Sequence, residues 1–239
     1  MVMSENNQTR FRSLVYRSAM VYNFTNQRAY EFYKRFKLIG EIIKKEKAKV
    51  ILDLPCGTGF LTRYLEKNIT YIGWDLNHRF LAKIKKDKKR GRVKPKKVIL
   101  SQKNIFDFDS YPSNVDAIVL CDILHHVIPN HKKLVENAKK KAKIVIICEP
   151  IAVKPDQIKA KDWIARTTLF ILKHFPEKLY RLIDFFFADN DGINRFENRL
   201  KWSHTKESLK KLYNDFGIED KNIYHVGDEL LGVWKRKNL

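Results

Sequence analysis

The stretch Val50-Ile51-Leu52-Asp53-Leu54-Pro55-Cys56-Gly57-Thr58-Gly59 decides the fold of this chain. It begins with an apolar run, continues through a turn that contains two glycines, and leads into a helical pattern from Phe60 to Lys67. A strand, a tight turn and a helix in this order form the first unit of a nucleotide-binding α/β domain. We expect Gly57 and Gly59 to let the backbone approach a ligand, because a Cβ atom there would collide with it.

An acidic residue stands at the end of the next predicted strand. The run Thr70-Tyr71-Ile72-Gly73-Trp74 is strand-like, and Asp75 follows it directly. A carboxylate at this point of such a domain binds a ribose diol, because it accepts hydrogen bonds from two hydroxyl groups. The two motifs together predict a ligand of the adenosine type.

Details of the first motif discriminate between adenosine-containing ligands. The dinucleotide motif requires a further glycine where Thr62 stands, which disfavours a nicotinamide cofactor. No Gly-Lys-Ser/Thr sequence follows, so a triphosphate-binding P-loop is absent. Asp53 adds a negative charge that would repel a pyrophosphate and attract a cation. S-adenosylmethionine (SAM) fits these conditions, since it carries adenosine and an ammonium group but no phosphate.

These residues resemble class I SAM-dependent methyltransferases, and the match is closest to the small-molecule branch that resembles ubiquinone and menaquinone methylases. The resemblance covers about residues 50–150, and Pro55 stands where the family usually has glycine. It implies an enzyme that transfers a methyl group from SAM to a small-molecule or lipidic acceptor by in-line displacement. An RNA or protein methyltransferase and a non-catalytic scaffold of the same fold are the alternatives.

Strand and helix patterns alternate along the chain, which predicts an α/β fold with a mainly parallel, doubly wound sheet of the Rossmann type. The resemblance implies seven strands, one of them an antiparallel strand of a C-terminal hairpin. Strands are predicted at 50–54, 70–75, 97–100, 115–121, 144–148, 222–226 and 230–235, and helices at about 60–67, 77–89, 131–140 and 205–216. We divide this single domain into a helical cap (1–47), a SAM-binding core (48–150), a helical lid (151–200), and a terminal helix and hairpin (201–239).

The resemblance implies that the cofactor lies at the carboxyl ends of the strands. Asn104 would accept a hydrogen bond from the adenine amino group, and Ile105 would pack on the ring. Alternatively, Asn104 is a loop residue that caps the following turn. The predicted cofactor-binding residues are Asp53, Pro55, Cys56, Gly57, Gly59, Asp75, Leu76, Asn104, Ile105, Cys121 and Asp122.

The acceptor side is predicted from residues that follow strands four and five and from the cap. His125 and His126 are adjacent and cannot point the same way, so we expect one of them to face the reaction centre. A neutral imidazole there could remove a proton from the acceptor near pH 7. The alternative is that both histidines pack or form hydrogen bonds under the sheet. Glu149 and Tyr22 are the predicted acceptor contacts, and the cap and lid are expected to cover the site.

The chain of 239 residues carries a net charge of +21, and its densest basic run is Lys83 to Lys97. This run could steer an anionic acceptor, RNA or an acidic membrane surface, or it could be a solvated lysine-rich surface. No stretch approaches the ~20 apolar residues of a membrane span, and the N-terminus shows no signal-peptide apolar region. We therefore expect a cytoplasmic protein. The three cysteines lack metal-ligand spacing, so we expect buried thiols and no metal.

Overall fold

The computed structural model describes residues 13–23, 32–151 and 202–237. The predicted lid at 151–200 lies outside these residues, except for Ile151. The strands are β1 (Val50–Asp53), β2 (Thr70–Trp74), β3 (Lys97–Ser101), β4 (Val115–Cys121), β5 (Ala142–Pro150), β6 (Ile223–Val226) and β7 (Glu229–Lys235). The helices are α1 (Leu14–Arg17), α2 (Phe32–Lys45), α3 (His78–Lys89), α4 (His131–Lys141) and α5 (Lys206–Asp215).

All seven strands form one sheet in the order β3-β2-β1-β4-β5-β7-β6. The first five strands are parallel, and β7 runs antiparallel to both β5 and β6. The central strands are almost continuously apolar because helices cover both of their faces. This topology confirms the predicted Rossmann-like sheet with an antiparallel strand in the terminal hairpin.

Alternate residues of the five inner strands of the sheet enter two separate cores. One core packs the apolar side of α2 and α3 against the sheet through residues such as Ile39 and Ile84. The other packs α4 and α5 against the opposite face through residues such as Leu134 and Leu209. The three cysteines are buried and free, as expected. None of the described helices has the length and apolarity needed to cross a membrane.

The helix predicted at 60–67 is wrong. The structure has a single 3₁₀ turn, Phe60–Arg63, in its place. The Thr62 hydroxyl donates to the Gly59 carbonyl at 2.6 Å, and the Thr62 amide donates to the same oxygen at 3.1 Å. These bonds occupy the carbonyl that a regular α-helix would pair with the amide of residue 63, because threonine hydroxyls compete for nearby backbone groups.

Strand β5 is four residues longer than the predicted strand 144–148, since it extends over Ala142–Pro150. It is paired on both sides, with β4 in parallel and with β7 in antiparallel register, where Pro150 faces Glu229. Pairing with β7 is a long-range contact that local apolarity does not reveal. The extension matters because it carries Glu149 to the end of the sheet where the candidate site lies.

Candidate active site

A cavity of about 180 Å³ opens at the carboxyl ends of β1 to β4. Residues from all four of the corresponding loops line it, together with residues of the cap. Predicted residues that line it are Tyr22, Asp53, Pro55, Cys56, Gly57, Asp75, Leu76, Asn104, Ile105, Cys121, Asp122 and His126. The structure thus brings together most of the residues predicted from the sequence. Gly59, His125 and Glu149 are outside this lining, and each has a different structural role.

The two glycines of the first loop serve different purposes, although both have positive φ, +51° at Gly57 and +75° at Gly59. A Cβ atom at Gly57 would meet only the Tyr22 hydroxyl, at 3.9 Å, on the cavity side. At Gly59 it would lie 2.7 Å from the Ile84 side chain of α3. The expectation that Gly59 makes room for a ligand is therefore corrected: Gly59 lets the loop pack against α3.

Asp75 is held by the backbone of the loops that surround it. Its Oδ2 atom accepts a hydrogen bond from the Gly57 amide at 2.9 Å, and its Oδ1 atom accepts one from the Asn77 amide at 2.7 Å. Each oxygen of an ionised carboxylate has a second lone pair, which can accept from a ribose hydroxyl. The carboxylate is therefore oriented before any ligand binds.

Asp53 lies at the end of β1 and is fully buried. Burial raises the pKa of Asp53 to about 7. The hydrogen bond from Tyr71 lowers this pKa, and the negative charge of Asp75 raises it further. The Tyr71 hydroxyl donates to Asp53 Oδ2 at 2.6 Å. A cation in the cavity would favour the ionised form of Asp53, so this residue suits a positively charged ligand and disfavours a phosphate.

Asn104 lines the cavity but also stabilises its own turn. Its side-chain oxygen accepts from the Phe106 amide at 2.9 Å, and its carbonyl accepts from the Asp107 amide at 3.0 Å. The turn-capping alternative is thus realised in the structure. Ile105 is buried at the cavity wall, and Phe106 joins it there, so this loop offers apolar surface to a flat ring.

An ion-pair network that sequence reasoning missed supports the end of β4. Arg35 of α2 lines the cavity with its side chain only 2% exposed, and its Nη2 atom lies 2.6 Å from Asp122 Oδ2. Arg35 also donates to Glu229 of β7. Burial raises the pKa of Glu229 to about 7, against the opposing charge of Arg35. The sequence did carry a signal for the burial of Arg35, because this residue lies on the same apolar helical stripe as Ile39 and Ile42.

The two adjacent histidines point to different surroundings. The His126 ring lines the cavity and lies 6.4 Å from the Tyr16 ring, nearly perpendicular to it. His125 has its Nδ1 atom 2.7 Å from Glu149 Oε2. Glu149 is fully buried, so the structure places it beneath the histidine loop and not among the residues that line the cavity.

The cap segment at residues 13–23 contacts the same loops as the predicted cofactor. The Asn77 side chain donates to the Tyr16 carbonyl at 2.8 Å, and the Thr58 hydroxyl donates to Asn23 Oδ1 at 2.6 Å. The Tyr22 ring lies 4.8 Å from the Phe80 ring of α3. The described part of the cap therefore closes one side of the cavity.

The basic run Lys83 to Lys97 lies largely away from the cavity. It covers the second half of α3 and the start of β3, so most of it is at the amino-terminal edge of the parallel strands. Within the run, Asp87 is buried and pairs with Lys83 and more distantly, at 3.9 Å, with Arg92. The cavity is at the opposite edge, which separates this charge from the candidate site.

Comparison with known proteins agrees with this geometry. Residues 52–144 match the family model described as a methyltransferase domain. The methyltransferase domain of bacterial CtHen1-C is 17% identical with a TM-score of 0.55, over 85% of this chain and 97% of that chain. Magnesium protoporphyrin IX methyltransferase from Synechocystis PCC 6803 was solved with bound S-adenosylhomocysteine (SAH). It is 11% identical with a TM-score of 0.55, over 86% of this chain and 83% of that chain.

A putative O-methyltransferase from Nostoc punctiforme PCC 73102 is 13% identical with a TM-score of 0.57, over 97% of this chain and 67% of that chain. No curated protein matches this sequence. At these identities the solved structures establish a shared fold. The family match indicates which kind of domain residues 52–144 resemble. Residues 52–144 are therefore similar to a methyltransferase domain, within a chain that shares the fold of these solved methyltransferases.

Proposed function

We propose that this protein transfers a methyl group from SAM to a small-molecule or lipidic acceptor. The observation that carries this proposal is the pair of carboxylates at the carboxyl ends of β1 and β2. Asp75 is oriented by two backbone amides, and Asp53 is buried beside the same cavity. A ligand that combines a ribose diol with a positive charge satisfies both residues.

Each part of SAM has a partner among the residues that line the cavity. Asp75 would accept from the ribose hydroxyls, and Asp53 and Asp122 would face the positive charge of the methionine part. Ile105 and Phe106 would pack against the adenine ring. When bound, SAM supplies an electrophilic methyl group on a sulfonium. The chain itself contributes mainly positioning and exclusion of water, which are the chief sources of rate for such a displacement.

The residues that would meet the acceptor are aromatic. Tyr16, Tyr22 and Phe80 form a cluster with ring centroids 4.8 to 6.2 Å apart, and His126 borders it. This surface suits an apolar or aromatic molecule. Two of the structural neighbours are described as a protoporphyrin methyltransferase and an O-methyltransferase, which also supports a small-molecule acceptor.

The basic run gives little support to an RNA acceptor, because most of it lies at the edge of the sheet opposite the cavity. The same placement weakens the idea that it steers an anionic acceptor into the site. We expect the protein in the cytoplasm. Peripheral contact with an acidic membrane surface would be measured by co-sedimentation with vesicles that contain phosphatidylserine, using neutral vesicles as the control.

The cofactor part of the proposal is tested by calorimetry with SAH, NAD and ATP. We expect SAH to bind and the other two ligands not to bind. The acceptor part is tested with SAM that carries a radiolabelled methyl group, offered with a cell lipid extract, phenol, 4-nitrophenol or total RNA. Labelled product from the lipid extract or a phenol supports the proposal. Binding of NAD without binding of SAH, or label found only in RNA, contradicts it.

A further inference from the structure

We propose that Asn77 and Arg79 are positioning residues that hold the cap segment at residues 13–23 over the bound cofactor and set the rate at which the cofactor exchanges. This inference rests on the proposed function, because it takes SAM and SAH as the ligands of the cavity. Its structural basis is a pair of hydrogen bonds from side chains at the start of α3 to the backbone of the cap. We call these two bonds the cap clamp.

The cap clamp ends on two consecutive carbonyl groups. The Asn77 Nδ2 atom donates to the Tyr16 carbonyl at 2.8 Å, and the Arg79 Nη1 atom donates to the Arg17 carbonyl at 2.6 Å. Both carbonyls belong to the last residues of the short helix α1. Carbonyl groups at the end of a helix have no partner within the helix, so donors on α3 can satisfy them and fix the position of α1.

Asn77 connects the cap to the carboxylate that we propose to bind the ribose. Its backbone amide donates to Asp75 Oδ1 at 2.7 Å, and its side-chain oxygen accepts from the Arg79 amide at 3.2 Å. Because this oxygen faces a donor, the NH₂ group of the same side chain faces the Tyr16 carbonyl, which is an acceptor. Asn77 is only 3% exposed, so water competes little for these bonds. One residue thus joins Asp75 and the cap.

The cap covers the part of the cavity where the ribose would bind. Tyr16 and Tyr22 line the same cavity as Asp75 and Gly57. The Tyr22 hydroxyl lies 3.9 Å from the point where a Cβ atom of Gly57 would stand, on the cavity side. A ligand held by Asp75 therefore lies against the cap, and we expect its release to follow an outward movement of these residues.

The second half of the cap is packed loosely enough to move. None of residues 18–23 is fully buried, and Met20 is 76% exposed. The Tyr16 and Tyr22 rings are half-buried against the Phe80 ring, with centroids 6.2 and 4.8 Å away. Segments that bury little apolar surface open at a lower free energy than the core. The loss of a single hydrogen bond of the cap clamp should therefore change the open population measurably.

Control of opening has a kinetic signature that a direct contact with the ligand does not share. If the ligand passes only through the open form, its rates of binding and release are both proportional to the population of that form. Because the cap closes over free and bound protein alike, a weaker clamp raises both rates by the same factor and leaves the dissociation constant unchanged. Loss of a direct ligand contact raises the release rate and weakens binding.

The first test measures the cap clamp without any ligand. Amide hydrogen exchange of the full-length protein, followed by mass spectrometry, reports opening through the hydrogen-bonded amides within residues 13–23. We expect Asn77→Ser and Arg79→Met to speed this exchange by about five- to tenfold, because each removes one hydrogen bond. Unchanged exchange of the cap in both variants would overturn the inference.

The two variants are chosen to leave the neighbouring contacts in place. Asn77→Ser keeps the backbone amide that orients Asp75 and an oxygen that can cap α3, but its side chain is too short to reach the Tyr16 carbonyl. Arg79 is exposed and is not among the residues that line the cavity. Arg79→Met therefore tests the clamp without removing a core or cavity contact.

Two matched controls remove the same kinds of hydrogen bond far from the cap. Asn137→Ser removes an amide that donates to the Lys133 carbonyl at 2.8 Å. Arg236→Met removes a guanidinium that donates to the Lys139 carbonyl at 3.0 Å. Both controls should keep the wild-type exchange of residues 13–23.

The second test measures cofactor exchange with SAH as the ligand. Surface plasmon resonance on immobilised full-length protein gives its rates of binding and release. We expect Arg79→Met to raise both rates by about five- to tenfold and to keep the dissociation constant within about twofold of the wild-type value. Asn77→Ser should raise the release rate at least as much, and the two controls should match the wild type. Faster release without faster binding in Arg79→Met, or unchanged rates, would overturn the role in exchange.

The outcomes separate this inference from the proposed function. If SAH binds and the cap exchanges equally in the wild type and both variants, the cap clamp is wrong while methyl transfer stands. If the wild-type protein does not bind SAH, the proposed function fails and the role in cofactor exchange fails with it. In that case hydrogen exchange still decides whether Asn77 and Arg79 hold the cap.

Discussion

One wall of the cavity, which we call the cofactor wall, is formed by Asp53, Gly57 and Asp75. Its hydrogen bonds, from Gly57 to Asp75 and from Tyr71 to Asp53, each join residues that are 18 positions apart in the sequence. The opposite wall, which we call the β4 wall, consists of Cys121, Asp122 and His126. It depends on Arg35, which pairs with a residue 194 positions away, Glu229. One wall is organised by a local strand–turn–strand unit, and the other by charges on distant elements.

This difference predicts different consequences for mutations. On the cofactor wall, backbone amides orient Asp75, so a changed side chain should affect ligand binding more than folding. On the β4 wall, Arg35 and Glu229 are buried partners. Loss of Arg35 leaves carboxylates without compensation, and stability should fall first. The following predictions test this contrast, from the largest expected effect to the smallest.

Arg35→Met should lower the free energy of unfolding by about 3 kcal/mol or more, because it leaves Asp122 and Glu229 without their buried cation. Urea unfolding at pH 7 measures the loss. The control is Arg63→Met, since Arg63 is partly exposed and lies 3.7 Å from Asp87, where a loss of about 0–1 kcal/mol is expected. Equal losses in the two variants would show that the network contributes little.

Asp75→Asn should weaken SAH binding by at least about tenfold, because each hydrogen bond to a charged group contributes about 1.5–3 kcal/mol. Calorimetry on the folded variant measures the change. Asp116→Asn is the control, since Asp116 binds the Lys49 amide and Lys143 at the opposite edge of the sheet. An unchanged dissociation constant for Asp75→Asn would mean that the ribose is held elsewhere.

Asp53 should make stability fall as the pH rises. Its pKa is raised from 3.8 to about 7, so its proton favours the folded state. This contribution is complete below about pH 4 and is lost as the pH approaches 7. Asp53→Asn should reduce the slope of stability against pH by about 1 kcal/mol per pH unit in this window. Glu229 has the same sign, so some slope should remain. An unchanged slope of the unfolding free energy against pH in Asp53→Asn would contradict the raised pKa of Asp53.

Gly57→Ala and Gly59→Ala should separate ligand binding from packing within the cofactor wall. Both substitutions place alanine at positive φ, which costs about 1 kcal/mol of stability. Gly59→Ala also collides with Ile84 and should lose at least about 1 kcal/mol more. Gly57→Ala should instead lose SAH affinity, because its methyl group enters the cavity. Urea unfolding measures the stability of both variants, and calorimetry measures their SAH affinity. Equal losses of stability and of affinity in the two variants would contradict the separate roles of Gly57 and Gly59.

Most of the sheet and the cofactor wall could be predicted because their signals are local. The apolar runs ending at Asp53 and Cys121 predicted β1 and β4 closely. Parallel strands in sequence order also placed Asp75 and Asn104 at one edge before any coordinates were known. The helix after Gly59 was mispredicted because its side-chain pattern is helical, while the Thr62 hydroxyl redirects the backbone.

The sequence by itself determined the class of the fold and the carboxylates at the end of the sheet where the cavity opens, because strand periodicity and turn glycines act over a few residues. Only the tertiary structure decided that Gly59 serves packing, that Arg35 supports Asp122, and that Glu149 lies under His125. These roles depend on which side chains meet when β5, β7 and α2 come together. Such contacts arise from the burial of whole elements, and no local pattern in the chain encodes them.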